Sequence, residues 1–236
     1  MLTSVLLAGP AQSPATAGAC VPPPATQRPA AGLAGTVPGA HGIESTSIRW
    51  VRWHKRVVYG DPATLDGQVV TDDGAIANAT VDLYVREAGA ADWRHTQSAT
   101  TDPETGVFSF DCLQPTVTTE YRAVYNGNLY FAGSQGNRKV GVARRVPDTM
   151  KQVAAQRFRL SGSVEPSYRQ RPVLLQRKEC PTCRWRTVVR KDSTDRSRWS
   201  FTISSSSFSG KRWLRAVVPA DEQYVRSDSR VWRLRG

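Results

Sequence analysis

Cys180-Pro181-Thr182-Cys183 is where residue type and spacing in this 236-residue chain speak most directly of chemistry. Two cysteines three positions apart suit three roles. A thioredoxin-type redox pair needs its first cysteine at a helix N-terminus, where the helix dipole lowers the thiol pKa. A zinc knuckle needs a second pair of ligands. A local disulfide needs only an oxidising compartment. The flanks, VLLQRKE and RWRTVVR, read as two strands and place the motif at a hairpin tip. The other cysteines are Cys20 and Cys112, and His41, His54 and His95 all lie far upstream. The reading that fits best is a structural Cys180–Cys183 disulfide pinning the hairpin, with a small stabilisation because the closed loop is short.

Other groupings point away from catalysis. The chain contains no G-x-S-x-G, no H-E-x-x-H and no Walker loop. Asp72-Asp73 and Asp102/Glu104 fall in turns, where aspartate favours the local backbone geometry. No metal site, no cofactor and no enzymatic activity are expected. Cys112 shares parity with Phe108 and Phe110, which makes it a small inward hydrophobe, with a disulfide to Cys20 as the alternative.

The elements that position these residues come in duplicate. LDGQV at 65–69 is echoed by LSGSV at 160–164, FSF at 108–110 by WSF at 199–201, and YRAVY at 121–125 by LRAVV at 214–218. Trp93-Arg94 is echoed by Trp185-Arg186. A period of roughly 90 residues is too long for a solenoid unit and suits two copies of a small domain. Within each copy, short apolar alternations such as Val81, Leu83 and Val85 are separated by turn-rich segments. That pattern predicts antiparallel strands with one dry face, and no segment sustains a helical period. The fold expected is all-β: two tandem immunoglobulin-like antiparallel β-sandwiches after an N-terminal leader and linker.

The order LDGQVVTDDG, ATVDLYVRE, DWRHTQSATTDPETGVFSF and TTEYRAVYNGNLYFAGS resembles the bacterial Ig-like repeats of secreted and surface proteins from high-GC Gram-positive bacteria. The likeness is good over 57–146 and looser over 157–235, where Asp195-Arg196-Ser197-Arg198 lacks the turn glycine supplied by Gly106. The resemblance implies a structural or interaction module at the cell surface, because this fold hosts many unrelated tasks. Trp93, Trp185, Phe110 and Phe201, which recur at matched places, are expected to be core anchors. The remaining tryptophans alternate with arginine, and that string fits either strand packing or a stacking face for sugars or bases.

The expected organisation is a leader at 1–19, a Pro/Ala/Gly-rich linker at 20–47, a first Ig-like domain at 48–146, a hinge at 147–156 and a basic second domain at 157–236. Ala17-Gly18-Ala19 forms an A-x-A cleavage pattern after a short apolar stretch, although a positive n-region is missing. This predicts an exported, extracellular or cell-surface protein, with lipid on Cys20 as a further alternative. No window approaches eighteen consecutive apolar residues, so no transmembrane helix is expected.

Charge is concentrated in one half. Residues 151–236 carry 20 Lys/Arg against 7 Asp/Glu, whereas residues 1–150 carry 12 against 13. A field of this kind attracts polyanions. Two functions follow: a non-enzymatic spacer or adhesion module with a protein or polysaccharide partner, or a binding module for wall polymer, acidic glycan or nucleic acid. For the second, the candidate contacts are Arg177, Lys178, Arg184, Arg186, Arg190 and Lys191. The plain alternative is that exposed arginines keep the domain soluble and blunt its sheet edges.

Overall fold

The computed structural model describes residues 43–207 and 209–236. The leader, most of the linker and Cys20 lie outside them. The described chain is strand throughout except for one 3-10 turn, Ser205–Ser207, and divides into compact units at 142/143. No helix among the described residues is long and apolar enough to cross a membrane.

The first unit contains β1 (Ser47–Trp53), β2 (Arg56–Val58), β3 (Ala63–Val70), β4 (Thr80–Glu87), β5 (Arg94–Thr100), β6 (Val107–Leu113), β7 (Thr119–Tyr125) and most of β8 (Ser134–Ala143). A three-stranded sheet, β1-β3-β6, faces a five-stranded one, β2-β8-β7-β4-β5. Period-2 alternation decides what lies between them. Val81 and Leu83 of β4, Phe108 and Phe110 of β6 and Tyr121 and Ala123 of β7 are all buried. The linker ends earlier than expected, because Glu44 already bonds across to Tyr130 and Ala132.

The second unit adds β9 (Asp148–Ala154), β10 (Arg157–Ser163), β11 (Pro172–Lys178), β12 (Arg186–Asp192), β13 (Arg198–Ser204), β14 (Lys211–Val218), β15 (Ser227–Asp228) and β16 (Trp232–Arg235). Its sheets are β13-β10-β9 and β12-β11-β14-β15, with β16 also on β14. The segment expected as a hinge is therefore β9, an edge strand paired with β10 from Asp148 to Ala154. Its sequence hid this, since Met150 is the one buried residue in the strand.

The two units share register features at several strands. Both copies carry a β-bulge at the same place, with the extra residue on β5 opposite Leu83/Tyr84 and on β12 opposite Leu175/Gln176. Both also set a glycine directly opposite an aromatic, Gly67 with Phe108 and Gly162 with Trp199. The missing side chain lets the ring lie across the neighbouring strand: a Cβ on Gly67 would sit 2.5 Å from Phe108 Cζ. This is why LDG and LSG recur together with FSF and WSF.

One turn is built in two ways. In the first copy Asp102 Oδ1 accepts hydrogen bonds from the Glu104 and Thr105 N–H groups and the Thr105 hydroxyl, and Gly106 takes φ 64°. Those bonds hold the Asp102 carboxyl below the usual carboxylate range, so the turn itself employs the carboxylate. In the second copy Ser197 takes φ 57° without glycine's freedom. Its hydroxyl accepts from the Tyr168 N–H at 2.7 Å and its carbonyl from the Val164 N–H at 3.0 Å, which ties the strained residue in place.

Candidate functional site

The Cys180–Cys183 disulfide stands at the β11–β12 hairpin tip, as the flanking strands imply. The Cys183 N–H donates to the Cys180 carbonyl and Lys178 Nζ to the Pro181 carbonyl, so the tip is a closed polar turn. A helix dipole, the device a thioredoxin-type pair relies on, is absent from both flanks. Replacing both cysteines by serine is expected to cost at most about 2 kcal/mol in urea denaturation, from the chain entropy of so short a loop. Failure of the variant to fold would show that the bridge does more than pin a hairpin.

Cys112 does not fill the inward slot that its parity suggests. It sits at φ 58° and only half-buried, within a stretch where Ala63 and Leu65 of β3 pair with Leu113 and Phe110. The extra residue flips the alternation, and Leu113 turns inward instead. Cys112 is disulfide-bonded and not a free thiol; the alternative of a pairing with Cys20 falls on a residue outside the described ones.

Phe110 and Phe201 are core anchors, 1% and 3% exposed, but the matched tryptophans are not. Arg94 pairs with the buried Val85, so its neighbour Trp93 faces outward with Arg86. There Trp93 lies between the guanidinium groups of Arg86 and Arg122, 4.8 and 4.1 Å from its ring centre. Trp185 lies in the same way between Lys178 at 5.0 Å and Arg215 at 4.2 Å. Arg122 and Arg215 occupy equivalent places, opposite Tyr84 and Gln176. Each indole therefore covers the outer face of its five-stranded sheet, in a contact worth about 0.5–1 kcal/mol per cation at exposed sites.

Four of the other five tryptophans are likewise engaged. Trp50 meets Phe108 edge-on at 5.9 Å, Arg138 lies over both Trp50 and Trp53, Trp199 is buried against Phe201, and Trp232 Nε1 donates to Asp148.

The six candidate cations do not converge. Arg177 and Arg186 are paired neighbours on the side of β11 and β12 that carries the buried Leu175, and Lys191 pairs with the buried Val173 on that same side. Lys178 and Arg190 belong to the opposite face, and Arg184 stands in the turn region before β12. Strand alternation, compounded by the bulge, has divided a run that looks continuous in sequence.

One of the six, Lys191, lines an open cleft of 580 Å³ within the second unit. The cleft lies on the outer face of the three-stranded sheet. Thr149, Ser161 and Ser200 are cross-strand neighbours on β9, β10 and β13, so their hydroxyls form a row across it. Strand spacing makes that row about 10 Å long. Arg159 follows Ser161's parity on β10, Arg198 stands opposite Ser163, and Lys191 and Asp192 come in from the end of β12. Arg159, Lys191 and Arg198 are exposed and make no side-chain hydrogen bond or ion pair with another described residue. Asp148 also lines the cleft, but its carboxylate is taken by Trp232 Nε1 at 2.6 Å and Arg230 Nε at 3.1 Å. Burial pushes that carboxyl above the usual range, against the opposing pull of Trp232 and Arg230.

The same face in the first copy is neutralised. Asp66 accepts from Arg52 at 2.8 Å and from the Ser109 hydroxyl at 2.6 Å, and Asp111 also accepts from Ser109. Counting from the Gly67/Phe108 and Gly162/Trp199 pairs, Ser161 stands where Asp66 does and Thr202 where Asp111 does. Arg159 and Arg198 replace Thr64 and Val107. Two acids have become hydroxyls and two neutral residues arginines, all on one face. That signal was available in LDGQV against LSGSV and FSFDC against WSFTI, once the copies are compared position by position.

No known family model matches this chain, and no curated protein does. Its structure is similar to the tetra-tandem repeat in the extending region of a large adhesion protein, at TM-score 0.32 and 14% identity, over 80% of this chain and 48% of that one. It is also similar to trypsin-activated alpha-2-macroglobulin from Escherichia coli, at TM-score 0.32 and 14% identity over 85% and 16%. A mutant Salmonella alpha-2-macroglobulin matches at TM-score 0.36 and 14% identity over 85% and 15%. The chain spans less than half the length of each, and likenesses at this level carry no argument about activity or partners.

Proposed function

We propose that this chain is a non-enzymatic interaction module of the extracellular kind, in which one Ig-like sandwich acts as a spacer and the basic second copy engages an anionic polymer. The observation that carries the reading is the contrast between equivalent faces. The first copy offsets Arg52 with Asp66 and adds a second carboxylate at Asp111, whereas the second presents Arg159, Lys191 and Arg198 without carboxylate partners among the described residues. Self-repulsion among unpaired cations costs stability, and a soluble surface needs only interspersed charge. The Cys180–Cys183 bridge and the oxidised Cys112 support an oxidising, extracellular setting.

The test is retention on an anionic matrix. Binding by the intact chain is expected to weaken roughly tenfold or more between 50 and 200 mM salt, as counterion competition requires. Retention indifferent to salt, or absent at low salt, would leave the spacer role alone.

A further inference from the structure

Resting on that reading, we infer that the cleft on the outer face of β9, β10 and β13 is a binding site for an acidic polysaccharide, one whose sugar units carry carboxylate or sulfate groups. Three features of the cleft select this ligand class.

The first is the combination of partners. Arg159, Arg198 and Lys191 surround the hydroxyl row Thr149–Ser161–Ser200. Guanidinium groups bind carboxylate or sulfate through paired hydrogen bonds, and lysine adds a compact point charge. The serine and threonine hydroxyls both donate and accept, which matches the hydroxyls of a sugar ring. A row about 10 Å long accommodates roughly two such rings side by side, given the strand spacing.

The second is the carboxylate at the rim. Asp192 is exposed and lines the cleft beside Lys191. Against a sugar it is an acceptor for ring hydroxyls.

The third is the absence of a stacking platform among the lining residues. Sites for single-stranded nucleic acid interleave cations with exposed aromatic rings. The aromatic residue in this lining is Trp199, which is 3% exposed and turned into the core. The exposed indole faces of this unit lie elsewhere: Trp185 is covered by Lys178 and Arg215 on the other sheet.

The duplication supplies a control within the molecule. The equivalent face of the first copy has the same pairing around Gly67 and Phe108, but Asp66 occupies the place of Ser161, where the row would have to meet an anion, and it is already held by Arg52. It is expected not to bind.

Binding of the intact chain to polygalacturonate, heparin, neutral dextran and a 20-bp DNA duplex is measured by calorimetry at low salt. Three proteins are compared: the parent, the triple variant Arg159→Ser, Lys191→Ser and Arg198→Ser, and the charge-matched triple variant Arg184→Ser, Arg186→Ser and Arg190→Ser. All six positions are exposed, so both variants are expected to fold, and strand content by circular dichroism verifies it. The expected result is polysaccharide binding by the parent with none to dextran, a loss of tenfold or more in the cleft variant, and less than threefold in the matched one. Equal losses in both variants would overturn the cleft while leaving anionic-polymer binding intact. Tighter binding of the duplex than of either polysaccharide would overturn the ligand class. A parent that binds no polyanion would overturn the broader reading and this site with it.

Discussion

Gly162→Ala is expected to destabilise the second sandwich by about 3 kcal/mol, at the upper end of what overpacking costs. A methyl group there would sit 2.2 Å from the Pro147 carbonyl oxygen and 2.7 Å from Trp199 Cζ2. The first contact is with main chain at the start of β9, so relief requires that strand to move off β10, to which Asp148 is paired through Gly162. The equivalent Gly67→Ala change meets the far edge of the Phe108 ring at 2.5 Å and the Arg49 carbonyl only at 3.1 Å. A double-variant comparison separates the cases. Trimming the ring with Phe108→Leu should recover part of the Gly67→Ala loss, whereas Trp199→Leu should recover little of the Gly162→Ala loss, because the backbone contact remains. Denaturant midpoints of the four single and two double variants provide the measurement, and equal rescue in both copies would contradict it.

Arg144→Met is expected to cost about 3 kcal/mol, the lower end of the range for breaking a buried ion pair, because Arg171 still reaches Asp221 at 2.9 Å. The Arg144 side chain is 4% exposed. Its Nη1 donates to the carbonyls of Pro166 and Ser167, both at 3.1 Å, and its Nη2 to Asp221 at 2.9 Å. The guanidinium plane also lies 3.8 Å from the ring centre of Tyr224 and 5.0 Å from that of Tyr168. Lysine cannot reproduce a planar fork with three acceptors, so Arg144→Lys should restore little.

The pair also sets an acid dependence. Burial alone would raise the Asp221 carboxyl, but the Arg144 hydrogen bond and charge, with the Tyr224 N–H, hold it below its ordinary value. A lowered folded-state pKa gives stability that is complete above the unfolded value, near 4, and is lost as pH falls through the folded value. The parent should therefore weaken on acidification below about pH 4. In Arg144→Met the burial effect is left with less opposition and the carboxyl rises. The gap between parent and variant should then narrow as pH drops, and a gap constant from pH 7 to 2.5 would refute the pairing as its source.

Much of the fold was legible because alternation and repetition report the same thing. Val81, Leu83 and Val85 are buried where period 2 places them, and the LDG/LSG and FSF/WSF echoes mark real cross-strand pairs. What alternation could not see were places where a residue is added or a strand lacks a dry face. The left-handed Cys112 reverses parity within β6, and the bulges in β4–β5 and β11–β12 do the same for their hairpins. Trp93 and Trp185 were misplaced into the core for that reason, since recurrence shows that a residue is needed but not on which face. The six cations around the CPTC hairpin are neighbours in sequence that alternate across a sheet, which composition alone does not reveal. β9 was missed because six of its seven residues are not buried. The cleft emerges only from register, which brings Thr149, Ser161 and Ser200 together from segments 12 and 39 residues apart.

The contrast between Gly106 and Ser197 bears on how neighbouring repeats avoid trading parts. Adjacent domains of similar sequence are prone to strand exchange during folding. Here β13 is preceded by a serine whose hydroxyl the Tyr168 amide takes as its partner, while β6 is preceded by a glycine that has no hydroxyl to give. A β6 inserted into the second copy would orphan the Tyr168 amide. Divergence at a single reversal thus helps each sandwich recognise its own strand.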